Sequence, residues 1–172
     1  MTFEIRQAGP ADAQALALVG QATFLQSYSD FLPAADVIAH CVHEHGEDRY
    51  GEWLTKADYR LFLAEHSSGR APIGYIMLCP PDLPVETGPG DMELKRIYLL
   101  HRFHGGGGGG LLMRTAVKAA SEAGARRLLL GVYSQNHAAL GFYARQGFTQ
   151  VGVRKFQVGE KIYDDLVLAK DL

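Results

Sequence analysis

Six consecutive glycines, Gly105, Gly106, Gly107, Gly108, Gly109 and Gly110, separate an alternating segment that ends at Leu100 from an apolar, helically periodic segment that begins at Leu111. A strand, then glycines, then a helix makes a site for a phosphate. Without Cβ atoms the backbone comes close to an anion. The first turn of a helix leaves its N–H groups unpaired, and the helix dipole adds about half a positive charge there. Together these favour a pyrophosphate. The arrangement costs stability, because glycine inside a helix is worse than alanine by up to ~1 kcal/mol. A P-loop would continue into Lys-Ser or Lys-Thr, whereas Gly110 is followed by Leu111 and Leu112. A dinucleotide fold would carry an acid at the end of the next strand, whereas that segment ends Gly131-Val132-Tyr133-Ser134. Regular segments on both sides argue against a flexible low-complexity linker.

Both flanks must be ordered for the loop to present its amides. Met92 to Leu100 alternates as a strand. Leu111 to Ala123 reads as a helix ended by Gly124 at C′. Upstream, Phe3 to Arg6 predicts a strand, and Pro10 opens a helix to about Leu25. A second helical stretch runs from Pro33 to about His45, and a short helix lies near Asp48 to Ala57. Tyr59 to Glu65 and Ile73 to Cys79 are strands around a turn at His66 to Arg70. Pro80 to Gly90, with four prolines and two glycines, is a loop of a length compatible with a flexible segment. Downstream, Arg127 to Tyr133 is a strand whose Leu128, Leu129 and Leu130 predict burial on both faces. His137 to Gln146 is a helix ended by Gly147. Phe148 to Phe156 and Lys161 to Leu168 are strands around a turn at Val158-Gly159-Glu160. The order β-α-α-β-β-β-α-β-α-β-β predicts one α/β domain over residues 1–172, with a largely antiparallel mixed sheet and a parallel step across the helix after the glycines.

Composition narrows the function classes. At 172 residues and 47% hydrophobic, the chain can bury a real core. A net charge of −2 offers no basic surface for nucleic acid. No apolar run approaches the ~20 residues of a membrane span, and the start MTFEIRQAGP does not read as a signal peptide. Cys41 and Cys79 form no CxxC pair, which fits a cytoplasmic protein with two free thiols in structural roles. His40, His43 and His45 tempt a metal reading, but without a carboxylate-supported third ligand they read as exposed surface histidines, and no metal is expected.

The glycine run resembles the pyrophosphate loop of the GNAT superfamily of N-acetyltransferases, whose pattern is Q/R-x-x-G-x-G. Two frames fit. Arg102 with Gly105 and Gly107 matches literally. His104 with Gly107 and Gly109 matches with histidine in place of Gln or Arg, and is preferred because it sets Leu112 where the family carries the helix's first core leucine. A histidine there still donates to phosphate, with a charge that depends on pH. The segment from Val132 to Phe148 resembles the family's other signature, N-x-x-A-x-x-F-Y-x-x-x-G-F, through Asn136, Ala139, Phe142, Tyr143, Gly147 and Phe148. The resemblance spans Ile5 to Leu168. Within the superfamily, Glu93-Leu94-Lys95-Arg96-Ile97-Tyr98, together with Thr23, Phe24 and Tyr28, is most similar to the bacterial polyamine (spermidine/spermine) acetyltransferase branch.

This resemblance implies the GNAT acyl-CoA N-acyltransferase fold, acetyl-CoA as cosubstrate without a metal, and an amine as acceptor. It implies that backbone groups at Ile97, Tyr98 and Leu99 lie along the cofactor, with a main-chain N–H near Leu99 facing the thioester carbonyl. Asn136 would contact the pantetheine or pyrophosphate arm, and Tyr143 would sit beside the sulfur and protonate the leaving thiolate. A tyrosine on a helix facing a cleft suits a general acid, although taken alone it reads as a core residue. Asn136 alone reads as a helix N-cap. Glu93 is the best candidate base. By period two it shares a strand face with Lys95, Ile97 and Leu99, and it would equally bind the substrate ammonium or pair with Lys95 or Arg96. Phe24, Tyr28 and Tyr75 are candidates for the acceptor wall. Three functions follow in order: acetylation of a small amine or polyamine; acetylation of a protein N-terminus, a lysine or an antibiotic; and non-catalytic sensing of acyl-CoA. Many relatives pair as homodimers, the partner the resemblance suggests.

Overall fold

A computed structural model describes residues 3–159 and 161–172. Met1 and Thr2 of the segment read for a leader, and Glu160 of the last predicted turn, lie outside the described residues. The elements are β1 (Phe3–Gln7), a 3-10 turn (Pro10–Asp12), α1 (Ala13–Tyr28), α2 (Ala34–Glu44), α3 (Glu47–Thr55), β2 (Arg60–His66), β3 (Pro72–Cys79), β4 (Asp91–Leu99), a second 3-10 turn (His101–Phe103), α4 (Gly108–Glu122), β5 (Arg127–Tyr133), α5 (His137–Arg145), β6 (Thr149–Val158) and β7 (Lys161–Asp171).

Among the differences from the sequence expectation, those in α1, α3 and α4 have identifiable reasons, and β6 and β7 run on to Val158 and Asp171. Helix α1 continues past Leu25 to Tyr28, since the Thr23 and Ser27 hydroxyls bond back to carbonyls of their own helix instead of breaking it. Helix α3, omitted from the predicted element order, is an element of its own because it buries Tyr50 and Trp53. Helix α4 starts at Gly108, three residues before Leu111, because Gly107 takes a φ of +82° and turns the chain into the helix axis.

Hydrogen bonding orders the seven strands β1-β2-β3-β4-β5-β7-β6. Strands β1 and β2, β5 and β7, and β6 and β7 pair antiparallel. The parallel step joins β4 to β5 from Asp91↔Arg127 to Glu93↔Leu129, so the mixed sheet has the expected form. Packing divides the chain into two units: one comprises the chain up to Met77 together with Arg96–Thr115, the other Leu78–Lys95 with Ala116–Leu172.

In the first unit, Leu16 and Val19 of α1, Tyr50 and Trp53 of α3, Leu61 and Leu63 of β2, and Tyr75 and Met77 of β3 form one apolar cluster. Each large side chain so buried contributes about 1.5–3 kcal/mol relative to exposure. In the second unit, Leu128, Leu129 and Leu130 are all buried, as a strand covered on both faces requires. The proline-rich loop is not a loose segment. Its Leu83 and Val85 pack on Leu129, Val167 and Ala169. Arg127 ties it down by donating to the Glu86 carbonyl (3.0 Å) and to both oxygens of Asp91 (2.9 and 2.6 Å), which holds the Asp91 carboxyl below its ordinary range.

Candidate active site

The anion loop is built in the first unit. Strand β4 ends at Leu99, and the Leu100 N–H donates to the Ile73 carbonyl (2.8 Å). The chain then makes its 3-10 turn, held to α1 by the His101 N–H, which donates to Gln26 Oε1 (3.1 Å). His104 folds back so that its Nε2 donates to the Leu99 carbonyl (2.7 Å). Gly105 and Gly107 have φ of +80° and +82°, the left-handed region where a side chain is strained. The first i→i−4 bond of α4 runs from the Leu111 N–H to the Gly107 carbonyl (3.1 Å). The amides of Gly108, Gly109 and Gly110 therefore precede the helical ladder. Beyond the Cβ positions of Gly105, Gly106 and Gly107 there is open space, whereas a Cβ on Gly108 would lie 2.7 Å from Leu99 Cδ2 and 3.1 Å from Phe3 Cζ. The loop is closed underneath and open above. Leu112 is buried. This open side, with N–H groups at a helix start, suits a diphosphate such as that of coenzyme A.

The three residues read as an acceptor wall fall on one run of rings in the same unit. Phe31 meets Tyr28 (5.6 Å between centroids) and Tyr28 meets Phe24 (4.5 Å). Phe24 stacks on His40 (4.1 Å) and lies 5.4 Å from His45. His45, Tyr50, Tyr75 and Tyr98 continue the run at 6.1, 6.0 and 5.7 Å. Tyr98, one of the predicted cofactor-side residues on β4, thus connects ring by ring to Phe24. Tyr75 is fully enclosed, at 0% exposure, and burial pushes its hydroxyl well up. It backs the wall instead of facing an acceptor, because β3 is buried almost throughout.

The histidines correct the sequence reading. Of His40, His43 and His45, only His43 is exposed. His45 is 2% exposed, its pKa pushed down to about 2 by burial and then by the charge of Arg96. The same two causes lower His40. Among the described residues no three His, Cys, Asp or Glu side chains converge as for a metal ion.

In the second unit, Glu93 is 1% exposed on β4. Its Oε2 accepts the Asp82 N–H (2.8 Å), and Lys95 Nζ lies 3.9 Å from its Oε1. Arg96, the other partner considered for it, pairs instead with Glu44 (3.1 Å), since successive strand residues point to opposite faces. Asn136 caps α5, its Oδ1 accepting the Ala139 N–H (3.1 Å). Tyr143 is half-buried, its ring edge-on to Phe142 (5.4 Å) and Phe148 (5.8 Å). Gly147, at φ +87°, ends the helix as read.

Two residues that adjoin this run of rings are not among the site residues expected from sequence: Arg96, an ion-pair candidate only, which meets the Tyr50 hydroxyl, and Gly20, whose Cα faces His45 and Tyr50. A lone glycine inside an alanine- and leucine-rich helix was the available signal for the second.

A family model described as the acetyltransferase (GNAT) family matches residues 23–148. An uncharacterized N-acetyltransferase of Mycobacterium tuberculosis is 32% identical over 161 residues, covering 94% of this chain and 98% of the relative. One from Lactobacillus delbrueckii subsp. lactis is 28% identical over 171 residues, covering 98% of this chain and 97% of the relative. Among solved structures, the PaiA N-acetyltransferase of Thermoplasma acidophilum in complex with coenzyme A superposes with a TM-score of 0.77 at 19% identity, covering 100% of both chains. The likeness to a GCN5-related N-acetyltransferase from Rhodopseudomonas palustris has a TM-score of 0.74, also at 19% identity, covering 100% of this chain and 97% of that one.

Proposed function

The chain belongs to the GNAT family of acetyltransferases, and from that premise we propose that its single domain passes the acetyl group of acetyl-CoA to a primary amine by direct attack in a ternary complex. The observation that carries the cofactor half is the glycine turn, open on one side and leading into the first-turn amides of Gly108, Gly109 and Gly110. The diphosphate rests there, and His104 and the backbone of Ile97, Tyr98 and Leu99 complete the cofactor side. Asn136 adds a contact to the cofactor arm while it caps its helix.

The neutral amine attacks the thioester carbonyl, so a C–N bond forms and a C–S bond breaks. A main-chain N–H near Leu99 takes the charge that develops on the oxygen. Glu93, directly or through water, receives the proton the ammonium must lose. Tyr143 gives its phenolic proton to the departing thiolate and regains, through solvent, the second proton, which the attacking nitrogen sheds as the adduct collapses to the amide. The products are an acetamide and the free thiol of coenzyme A. Phe24 and Tyr28 present the acceptor wall, with Tyr75 behind them. The acceptor is a small amine or polyamine, as the resemblance around Glu93 and Phe24 suggests. No described helix is long and apolar enough to cross a membrane. With Cys41 and Cys79 both free, the reading puts the protein in a reducing cytoplasm, without a nucleic-acid or membrane partner, and with a homodimer as the assembly to test.

Tyr143→Phe tests the assignment. Coenzyme A should bind as before by calorimetry, while release of thiol with an amine panel should fall about 100-fold, the scale of a lost general acid. Unchanged turnover removes Tyr143 from the mechanism. If no amine, peptide N-terminus or aminoglycoside releases thiol although coenzyme A binds, the protein is a sensor of acyl-CoA.

A further inference from the structure

Gly20 lies in the middle of α1, where glycine weakens a helix. A Cβ there would lie 2.5 Å from both His45 Nδ1 and the Tyr50 hydroxyl. The gap is filled by the hydrogen bond between those two atoms, 2.9 Å. The Tyr50 hydroxyl also meets Arg96 Nη1 at 3.1 Å. Arg96 donates further to the Glu44 carbonyl (3.0 Å) and the Glu44 carboxylate (3.1 Å), and its guanidinium lies over Trp53 (4.7 Å).

One proton direction along this chain is fixed by the groups themselves. Arginine has only donors, so the Tyr50 oxygen accepts from it. The Tyr50 oxygen keeps a second lone pair, so its bond to His45 Nδ1 closes in either direction; the device described below takes the one in which Tyr50 donates and Nδ1 is bare. In that direction His45, kept neutral by burial and by Arg96, carries its proton on Nε2.

Helix α2 has a single fully buried side chain, Val37, while Ile38 and Val42 stand in solvent. Apolar packing alone gives such a helix little hold. Its fixed end is the C-terminal one, where Arg96 grips Glu44 and Gln21 Nε2 donates to the His45 carbonyl (3.0 Å). Arg96 stands beside Ile97 on β4, so the same chain ties α2 to the strand read as the cofactor's.

We propose that Gly20, His45, Tyr50 and Arg96 form a positioning device for the acceptor side, holding α2 and its His40 against Phe24 at a set distance from β4. The inference rests on the acceptor reading of Phe24 and Tyr28. Its groups act through the wall and are positioning residues. The charged and titratable groups that face His45 are His40 and Glu44 from α2, Tyr50 from α3 and Arg96 from β4.

Tyr50→Phe removes the hydroxyl between Arg96 and His45. With spermidine as the probe amine, KM should rise about tenfold, kcat should change less than threefold, and the Kd for coenzyme A should stay within twofold. His45→Asn, whose Oδ1 can take the Tyr50 proton, should retain a near wild-type KM, and His45→Leu should not. A second readout needs no amine. Long-range ¹H–¹⁵N correlation on histidine-labelled protein should show His45 as the Nε2–H tautomer, without titration between pH 8 and 5, and Tyr50→Phe should abolish that state. Hydrogen exchange of residues 34–44 should quicken in Tyr50→Phe and return in His45→Asn. An Nδ1–H or titrating His45 in the wild type overturns the proposal, as does a Tyr50→Phe variant that loses coenzyme A affinity as much as spermidine KM. If wild-type protein acetylates no amine, the acceptor reading fails, while tautomer and exchange still decide the device. Should Tyr50→Phe not fold, Gly20→Ala forces the same two atoms apart with the hydroxyl present, and the same outcomes apply.

Discussion

In the loop from His104 to Gly110 the binding groups are main-chain amides, and the side chains are almost absent. In the wall from Phe31 to Tyr98 the groups are rings, hydroxyls and one buried guanidinium, contributed by α1, α2, α3, β3 and β4. Both belong to the first unit. On the proposed function the loop takes a ligand part common to every acyl-CoA, so backbone chemistry suffices, and its demands are for glycine at particular φ values. On the same proposal the wall suits one acceptor, and it depends on side chains whose placement each relies on another. Damage to the loop should therefore be local and steric, whereas damage to the wall should spread along its hydrogen bonds and follow pH.

The contrast breaks most sharply at Gly108. A valine there drives into Leu99 and Phe3, and the helix start must shift. Coenzyme A affinity should drop at least ~100-fold by calorimetry, in keeping with the cost of overpacking, and a drop under threefold would show the amides are not the grip.

The wall should answer to acid. His45 and His40 titrate below the ordinary value because burial disfavours their cations and Arg96 adds to it. An unfolded chain takes up those protons as pH falls through about 6.5, while the folded one does not. The unfolded state then binds more protons, so the stability is complete above that pH and is lost below it, down toward the folded His45 value of about 2. Urea unfolding at pH 7 and pH 5 should differ by about 2 kcal/mol for His45 alone, at ~1.4 kcal/mol per pH unit. His45→Asn should remove that share of the difference, and a loop variant such as Gly106→Ala should leave it untouched.

Smaller effects sharpen the picture within the loop itself. Gly107→Ala must adopt a φ of +82° and should weaken coenzyme A about tenfold, as a strain of ~1–2 kcal/mol predicts. Gly106 has an ordinary φ and open space around it, so Gly106→Ala should stay within twofold. The smallest effect is expected at His104. Its ring bonds the Leu99 carbonyl, a bond a glutamine amide can replace, so His104→Gln should bind within about twofold and His104→Leu about threefold more weakly, for one lost hydrogen bond of ~0.5–1.5 kcal/mol.

What was legible in the chain itself was local. The glycine run, the alternation of β4, the terminal glycines Gly124 and Gly147 and the cap Asn136 each act on neighbours a few residues away, so their spacing alone predicted the elements and the anion loop. The three leucines of β5 gave away its burial for the same reason. The tertiary structure decided the rest. It took His45 from the surface, where its polar spacing had put it, into the core, because Tyr50 and Arg96 arrive from elements 5 and 51 positions on and because Gly20 leaves room. It paired Arg96 with Glu44 instead of Glu93 and packed the proline-rich loop on β5 and β7. A hydrogen bond or ring contact between distant residues has no periodicity in sequence, and only the folded chain brings its two ends together.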